Sequence, residues 1–198
     1  MPKKGITPEK IYQAATQLII EKGYDNFSLR ELAARLGVQP ASLYSHVRNA
    51  AEINIAVGKN AIVQLSRTLE NAIDKEDRDE AFAAMAHAYR NFAHENFELY
   101  KAIMALPGAS EVELKEDEQR TIRPLRTVIE NFVPEGMVSI HFQRFVRSAM
   151  HGFIMLESEG FMRDRSVSAD ESYDMLISAC LSELKNASVT PDVPGDAR

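Results

Sequence analysis

The apolar residues of this chain recur with the spacing of an α-helix from one end to the other, and this constrains the fold most. In the first periodic segment Ile11, Ala15 and Leu18 fall on one face. The alternation typical of half-buried strands is absent, and Gly and Pro fall between the periodic segments. The pattern predicts an all-α protein with about nine helices, at 8–22, 28–36, 40–46, 49–73, 79–94, 97–106, 112–132, 138–159 and 169–185.

Composition excludes several classes of protein. The hydrophobic fraction is 45% and the charged fraction 26%, which is ordinary for a soluble globular protein. The single cysteine, Cys180, excludes an intramolecular disulfide and favours a reducing compartment; we expect it to be a buried apolar residue and not a redox sensor. No apolar run approaches ~18 residues and the N-terminus lacks the apolar core of a signal peptide, so we expect a cytoplasmic protein without membrane spans.

Charge is divided unevenly along the chain. Residues 1–49 contain seven basic and four acidic side chains, which leaves +3 there and −9 in the rest of a chain whose net charge is −6. A small basic end on an acidic body suits a protein that places only that end on phosphates. Chance segregation of a few charges is the alternative interpretation.

Two short helical segments joined by a glycine-containing turn, at 28–36 and 40–46, have the helix-turn-helix arrangement. Ser28 and Glu31 have the spacing of a capping box at the start of the first segment. A helix that enters a major groove about 12 Å wide needs small or polar outward residues. The second segment meets this requirement, while Leu43 and Val47 are placed to point inward.

The same residues resemble the TetR family of bacterial repressors. The resemblance lies in residues 27–38 (FSLRELAARLGV) and 41–49 (ASLYSHVRN), and it extends over about 7–57. Its most specific part is the Leu-Tyr-x-His core at Leu43, Tyr44 and His46. The family resemblance implies a DNA-binding transcriptional regulator that acts as a homodimer on a palindromic operator and is released by a small molecule, most commonly as a repressor.

Site residues are carried over from the family one by one. Tyr44 and His46 would contact the DNA backbone, and Ser28 would cap a helix N-terminus that faces phosphate. Arg30 occupies a position that reads a guanine edge in some members, although a solvated helix residue is the alternative. Where the family often has a phosphate-binding Lys, this chain has Ala50, and Lys3, Lys4 and Arg48 are the candidates for compensation. The complete predicted DNA-binding set is Ser28, Arg30, Gln39, Pro40, Ala41, Ser42, Tyr44, Ser45, His46 and Arg48.

The rest of the chain is expected to sense a ligand and to dimerise. We predict a DNA-binding domain at 1–50, with its motif at about 28–47, a ligand-binding and dimerisation domain at 51–187, and a disordered tail at 188–198. Helices eight and nine carry more apolar surface than one protomer needs, which predicts the dimer interface. The C-terminal part loosely resembles a TetR subgroup with a His-Gly pair, here His151-Gly152. This resemblance does not identify the ligand.

Aromatic and methionine side chains in this part have two interpretations. They line a pocket for a largely apolar effector, or they are ordinary core. The set is Met85, Tyr89, Phe92, Phe97, Tyr100, Phe145, Met150 and Phe153.

Other chemistry lacks its motifs. The histidines have no metal-site spacing, and neither a nucleophile elbow nor a phosphate-cradling glycine loop is present. We therefore predict no catalytic residues, no cofactor, no metal and no enzyme activity. The alternative to a regulator is a helical small-molecule-binding or interaction protein with a degenerate DNA-binding domain.

Overall fold

The computed structural model describes residues 6–106, 123–164 and 166–189, and within these ranges the protein is helical and contains no strand. The predicted all-α fold is confirmed. A 3-10 turn, Tyr24–Asn26, lies between the first two helices. The helices are α1 Pro8–Lys22, α2 Leu29–Leu36, α3 Pro40–Leu43, α4 Ala50–Ala72, α5 Arg78–Glu95, α6 Phe97–Met104, α7 with described residues 123–130, α8 Met137–Ser158 and α9 Ala169–Val189.

Two helix ends differ from the predictions by three or more residues. The predicted third helix, 40–46, is wrong at its end, because α3 stops at Leu43 and continues as a tight turn. His46 N–H and Val47 N–H both donate to the Leu43 carbonyl, at 2.9 and 3.0 Å. One carbonyl oxygen therefore accepts both a 3-10-type hydrogen bond (i to i−3) and an α-type hydrogen bond (i to i−4). The last helix runs through Val189, past the predicted end at 185. The first part of the predicted helix 112–132, Lys3, Lys4 and residues 190–198 lie outside the described residues.

Side-chain caps fix the starts of the helices near the N-terminus, as the sequence predicts. The Thr7 hydroxyl accepts from Lys10 N–H at 3.4 Å, and the Ser28 hydroxyl accepts from Glu31 N–H at 3.3 Å. Gly37 ends α2 with φ 67°, in the left-handed region that favours glycine. The start of α1 and both ends of α2 are therefore set by local chemistry that is visible in the sequence.

The described residues form two compact units. The first comprises 6–65 and 92–106, and the second comprises 66–91, 123–164 and 166–189. The first unit therefore contains α6 together with the helix-turn-helix, although the predicted domain boundary placed α6 in the ligand-binding part. Which unit performs which role stays a prediction.

Each unit has its own apolar core. In the first, the fully buried side chains include Ile11, Leu32 and Leu43. In the second, Phe82 meets Phe132 edge-on with ring centroids 6.4 Å apart, and Phe153 meets Tyr173 at 5.0 Å. None of the helices in the described ranges has the length and hydrophobicity that a membrane crossing requires.

A close approach of α4 and α6 inside the first unit requires glycine at position 58. A Cβ there would lie 2.8 Å from the Ala102 carbonyl oxygen and 2.8 Å from Leu106 Cδ2. Because a helix carbonyl cannot move aside cheaply, we expect Gly58→Ala to lower the free energy of unfolding by about 1–3 kcal/mol. Urea denaturation at fixed protein concentration measures this loss.

Gly152 in α8 provides the matched control for Gly58. A Cβ at position 152 would meet nothing within 4 Å in this structure. Since alanine is the better helix former, Gly152→Ala should leave stability unchanged or raise it by up to about 1 kcal/mol. Equal losses in both variants would show that the close approach at Gly58 does not determine the effect.

Candidate nucleic-acid interface

A small group of buried apolar side chains forms a platform on which the segment from α2 through the turn after α3 packs. Leu32 and Ala33 of α2 are buried, and so are Leu43 and Val47 on either side of the turn. The predicted inward orientation of Leu43 and Val47 is confirmed. These anchors fix which side chains of the segment face solvent.

The predicted DNA-facing residues lie on the opposite side of this platform. Tyr44 is 57% exposed, so more than half of its large side chain faces solvent. Ser28 alone in the set is half-buried, because its side chain caps α2. The exposed members are Arg30, Gln39, Pro40, Ala41, Ser42, Tyr44, Ser45, His46 and Arg48.

The Ser28 hydroxyl is already committed to its own helix. It accepts from Glu31 N–H and donates to Glu31 Oε2 at 2.9 Å. This reciprocal pair satisfies one of the free N–H groups of α2 and places a carboxylate in its first turn. Any phosphate contact at this end must therefore use other backbone N–H groups or displace the Glu31 side chain.

The arginines of the segment differ in whether their guanidinium groups already pair with a carboxylate. Arg35 forms a bidentate pair with Glu21, at 2.6 and 2.7 Å, which raises the pKa of Arg35 and lowers that of Glu21. Arg48 has a side chain that is 93% exposed and lies 3.9 Å from Glu52. Arg30 is exposed and makes no ion pair with any residue that the structure describes. Arg30 and Arg48 are thus the arginines available to an anionic partner.

Glu52, which the sequence pairs with Asn49 only as a helix start, also positions the turn after α3. Its N–H donates to Asn49 Oδ1 at 2.9 Å, and its carboxylate accepts from Arg48 N–H at 2.8 Å and from the Tyr12 hydroxyl at 3.3 Å. Burial, followed by the charge of Glu52, raises the pKa of Tyr12. The carboxylate ties the turn after α3 to both α1 and α4. The box-like spacing of Asn49 and Glu52 was the available signal.

A second tie joins α6 to the turn between α1 and α2. Glu98 Oε2 accepts from Tyr24 N–H at 2.5 Å, and Lys101 Nζ lies 2.9 Å from Asp25 Oδ2 and 3.3 Å from Glu98. Asp25, followed by Glu98, raises the pKa of Lys101. The Tyr24–Glu98 and Asp25–Lys101 contacts join residues 74 and 76 positions apart and leave no periodic signal in the sequence.

The predicted effector-lining residues are mostly buried. Phe145 is the exception at 46% exposure, on the solvent face of α8, and Phe97 is half-buried. The set is divided between the two units, and its role as a pocket stays a prediction. The buried members are Met85, Tyr89, Phe92, Tyr100, Met150 and Phe153.

Cys180 is buried, and burial raises the pKa of its thiol, as expected for a packing residue. Burial, followed by the charge of Arg147, lowers the pKa of His151. Among the described residues, no group of three His, Cys, Asp or Glu side chains has the arrangement needed to hold a metal ion.

Comparison with known proteins identifies the family of the segment that contains the helix-turn-helix. A family model described as bacterial regulatory proteins, tetR family, matches residues 11–56, and one described as tetracyclin repressor-like, C-terminal domain, matches residues 82–180. An uncharacterized HTH-type transcriptional regulator of Bacillus subtilis, YobS, is 28% identical over 175 residues, which cover 88% of this chain and 91% of the relative.

Two solved structures have the same fold. A protein with unknown function from Rhodococcus sp. RHA1 has a TM-score of 0.72 and 21% identity, with coverage of 94% of this chain and 97% of that one. FadR of Bacillus subtilis, solved in complex with stearoyl-CoA, has a TM-score of 0.63 and 18% identity, with coverage of 87% and 96%.

Proposed function

Since this chain belongs to the TetR family of bacterial regulatory proteins and is a DNA-binding transcriptional regulator, we propose that it represses transcription as a homodimer on a palindromic operator. The observation that carries the proposal is the exposed face of 39–48 above buried Leu43 and Val47. This face is polar or small apart from Tyr44. Such a surface suits a major groove better than it suits a protein core.

Contacts to the DNA backbone and contacts to bases fall to different residues in this proposal. Tyr44, His46 and Arg48 bind phosphates, and these contacts supply affinity without sequence preference. Arg30 reads a guanine edge through a bidentate contact. Gln39, together with the small residues of α3, lies against the groove. Glu52 keeps this set in place through the turn after α3.

Homodimerisation uses the exposed apolar side chains of α8 and α9. Phe145 and Leu156 of α8 and Met175 of α9 are large, apolar and solvent-facing. Exposed apolar side chains of this size, several on one pair of helices, are typical of surfaces that a partner covers. An isologous contact between two copies would bring two recognition segments to the two halves of a palindrome.

A largely apolar small molecule is the proposed effector. The FadR neighbour, solved with stearoyl-CoA, is an example of this fold with a bound ligand. In this chain the buried aromatic and methionine residues are the proposed lining, and α4 is the proposed lever because it begins beside the recognition segment. A ligand that favours a different spacing of the recognition segments releases the DNA. We place the protein in the cytoplasm and assign it no catalytic step.

Salt dependence of DNA binding tests the proposal most directly. In vitro selection from random duplexes supplies the operator, and fluorescence anisotropy at about 50 and 200 mM salt measures its affinity. We expect a palindrome bound by two protomers, with about a thousandfold loss of affinity at the higher salt if six phosphates are contacted. Selection that yields no enriched palindrome, or affinity that does not fall with salt, would support the degenerate DNA-binding domain instead.

Position 50 offers a gain-of-function prediction. Ala50 is the first residue of α4, whose free N–H groups face away from the helix, and the family often has a lysine there. We expect Ala50→Lys to strengthen binding to every duplex and to steepen the salt dependence by about 0.9 per protomer. Asn71→Lys, an exposed position near the other end of α4, adds the same charge and should change neither. Equal gains from both variants would indicate a general charge effect.

A further inference from the structure

A cleft between α4 and α6 lies inside the unit that carries the recognition residues. Its volume is about 180 Å³, and α4, α6 and the 3-10 turn form its walls. It shares no residue with the predicted effector-lining set. The lining residues are Tyr24, Ala51, Asn54, Ile55, Ala102, Ala105 and Leu106.

The close approach at Gly58 explains why the cleft exists. There the two helices touch, since even a Cβ would lie 2.8 Å from the Ala102 carbonyl. Nearer the start of α4 the cleft is lined by Ala51, and Ala105 lines it just after the end of α6; both side chains are small and exposed. Alanine methyl groups do not fill the space that opens away from the contact at Gly58, so the gap persists.

Asn54 gives the cleft a hydrogen-bonding group. Its Oδ1 is shut off from solvent and accepts no hydrogen bond from any residue that the structure describes. An acceptor buried without a partner is costly and uncommon in folded proteins. Because Oδ1 has no hydrogen bond to lose, rotation about χ2 can turn this oxygen toward an occupant of the cleft.

We propose that this cleft binds a single-ring, mostly apolar molecule with one amide-like polar group that pairs with the Asn54 carboxamide. The cleft is partly open to solvent and has about 180 Å³, which leaves room for one ring, since an enclosed apolar cavity of about 150 Å³ holds benzene. The walls of alanine, isoleucine and leucine would contact the ring, and Asn54 would fix its orientation. The site is additional to the proposed effector pocket, and its occupant touches the first turns of α4 directly.

Benzamide and toluene are the probes, used on the full chain without DNA, so that failure here is separate from failure of operator binding. Two-dimensional NMR should show benzamide shifting the amide signals of Tyr24, Asn54 and Ala102, with a Kd of about 1–10 mM. Asn54→Leu should weaken benzamide about threefold to tenfold and leave toluene binding unchanged or tighter, since it removes only the hydrogen-bonding partner.

Two variants fill the cleft from opposite walls, Ala105→Leu and Ala51→Leu, and both should abolish binding of both probes. Because both positions contact solvent, each is expected to fold, and circular dichroism checks this. Ala72→Leu, in the last turn of α4 and outside the cleft, should bind both probes as the unaltered chain does. The proposal is overturned if about 20 mM benzamide shifts none of the three amide signals, or if its binding survives both filling variants.

Discussion

Replacing Glu157 by leucine should lower the free energy of unfolding by about 3–5 kcal/mol, because the change leaves a buried guanidinium without its main partner. Arg90 is 7% exposed. Its Nε donates to Glu157 Oε2 at 2.9 Å and its Nη2 to Oε1 at 2.5 Å, and the two carboxylates around it raise its pKa further. An arginine cannot relieve the loss by giving up its proton, so the charge remains buried.

The surroundings of Arg90 offer little replacement for Glu157. Its guanidinium lies 5.7 Å from the ring centroid of Phe153 and 4.9 Å from that of Tyr173. Such cation–π contacts contribute roughly 0.5–2 kcal/mol each, which is less than a desolvated carboxylate pair. Asp170 also reaches Nη2, at 2.8 Å, but its side chain is 82% exposed and its attraction is screened by water.

Two further variants test whether the loss of stability in Glu157→Leu comes from the unpaired buried charge or from any substitution near Arg90. Asp170→Asn should cost less than about 1 kcal/mol, because that carboxylate is solvated. The double variant Arg90→Met with Glu157→Leu should recover most of the loss, since it removes both charges together. Urea denaturation at one protein concentration measures all three, because dimerisation contributes to apparent stability. A cost for Glu157→Leu no greater than that of Asp170→Asn would contradict the assignment.

The ion pair of Arg90 and Glu157 could not be predicted from the sequence, whereas most of the helices could. Apolar periodicity located the helices within a few residues, because the same spacing that marks a helix also selects its buried face. Capping residues such as Ser28 and Asn49 fixed helix starts through contacts three residues away. Arg90 and Glu157 are 67 positions apart, and each alone resembles an ordinary charged surface residue. No local pattern could pair them.

The recognition segment illustrates the same division. Buried Leu43 and exposed Tyr44 were predictable, since adjacent helical positions point in different directions. The early end of α3 was not predictable. The two hydrogen bonds to the Leu43 carbonyl that end the helix involve only backbone atoms, and many sequences can form them. Phe145 belongs to the predicted pocket-or-core set although it is exposed, because the sequence of a helix that is apolar around most of its circumference does not indicate which face is covered.

Arg30→Ala should weaken binding to the selected operator by about 2–6 kcal/mol per dimer, since each half-site loses one bidentate contact worth about 1–3 kcal/mol. The structure favours Arg30 over Arg35 for this contact. Arg35 is held by Glu21, whereas Arg30 is exposed and has no ion pair among the described residues. Operators with the contacted base pair replaced should bind the variant and the unaltered protein almost equally.

Tyr44→Phe is the matched comparison, because it removes one hydroxyl from a side chain proposed to bind phosphate. We expect it to weaken binding to all duplexes by the same factor and to leave base preference intact. Anisotropy with a panel of single-base operator variants distinguishes the two substitutions. If Arg30→Ala scales every affinity by one factor, as Tyr44→Phe should, then Arg30 contacts the backbone and base reading belongs to the residues of 39–45. A loss of base preference confined to one position in each half-site would instead place the Arg30 guanidinium at that base.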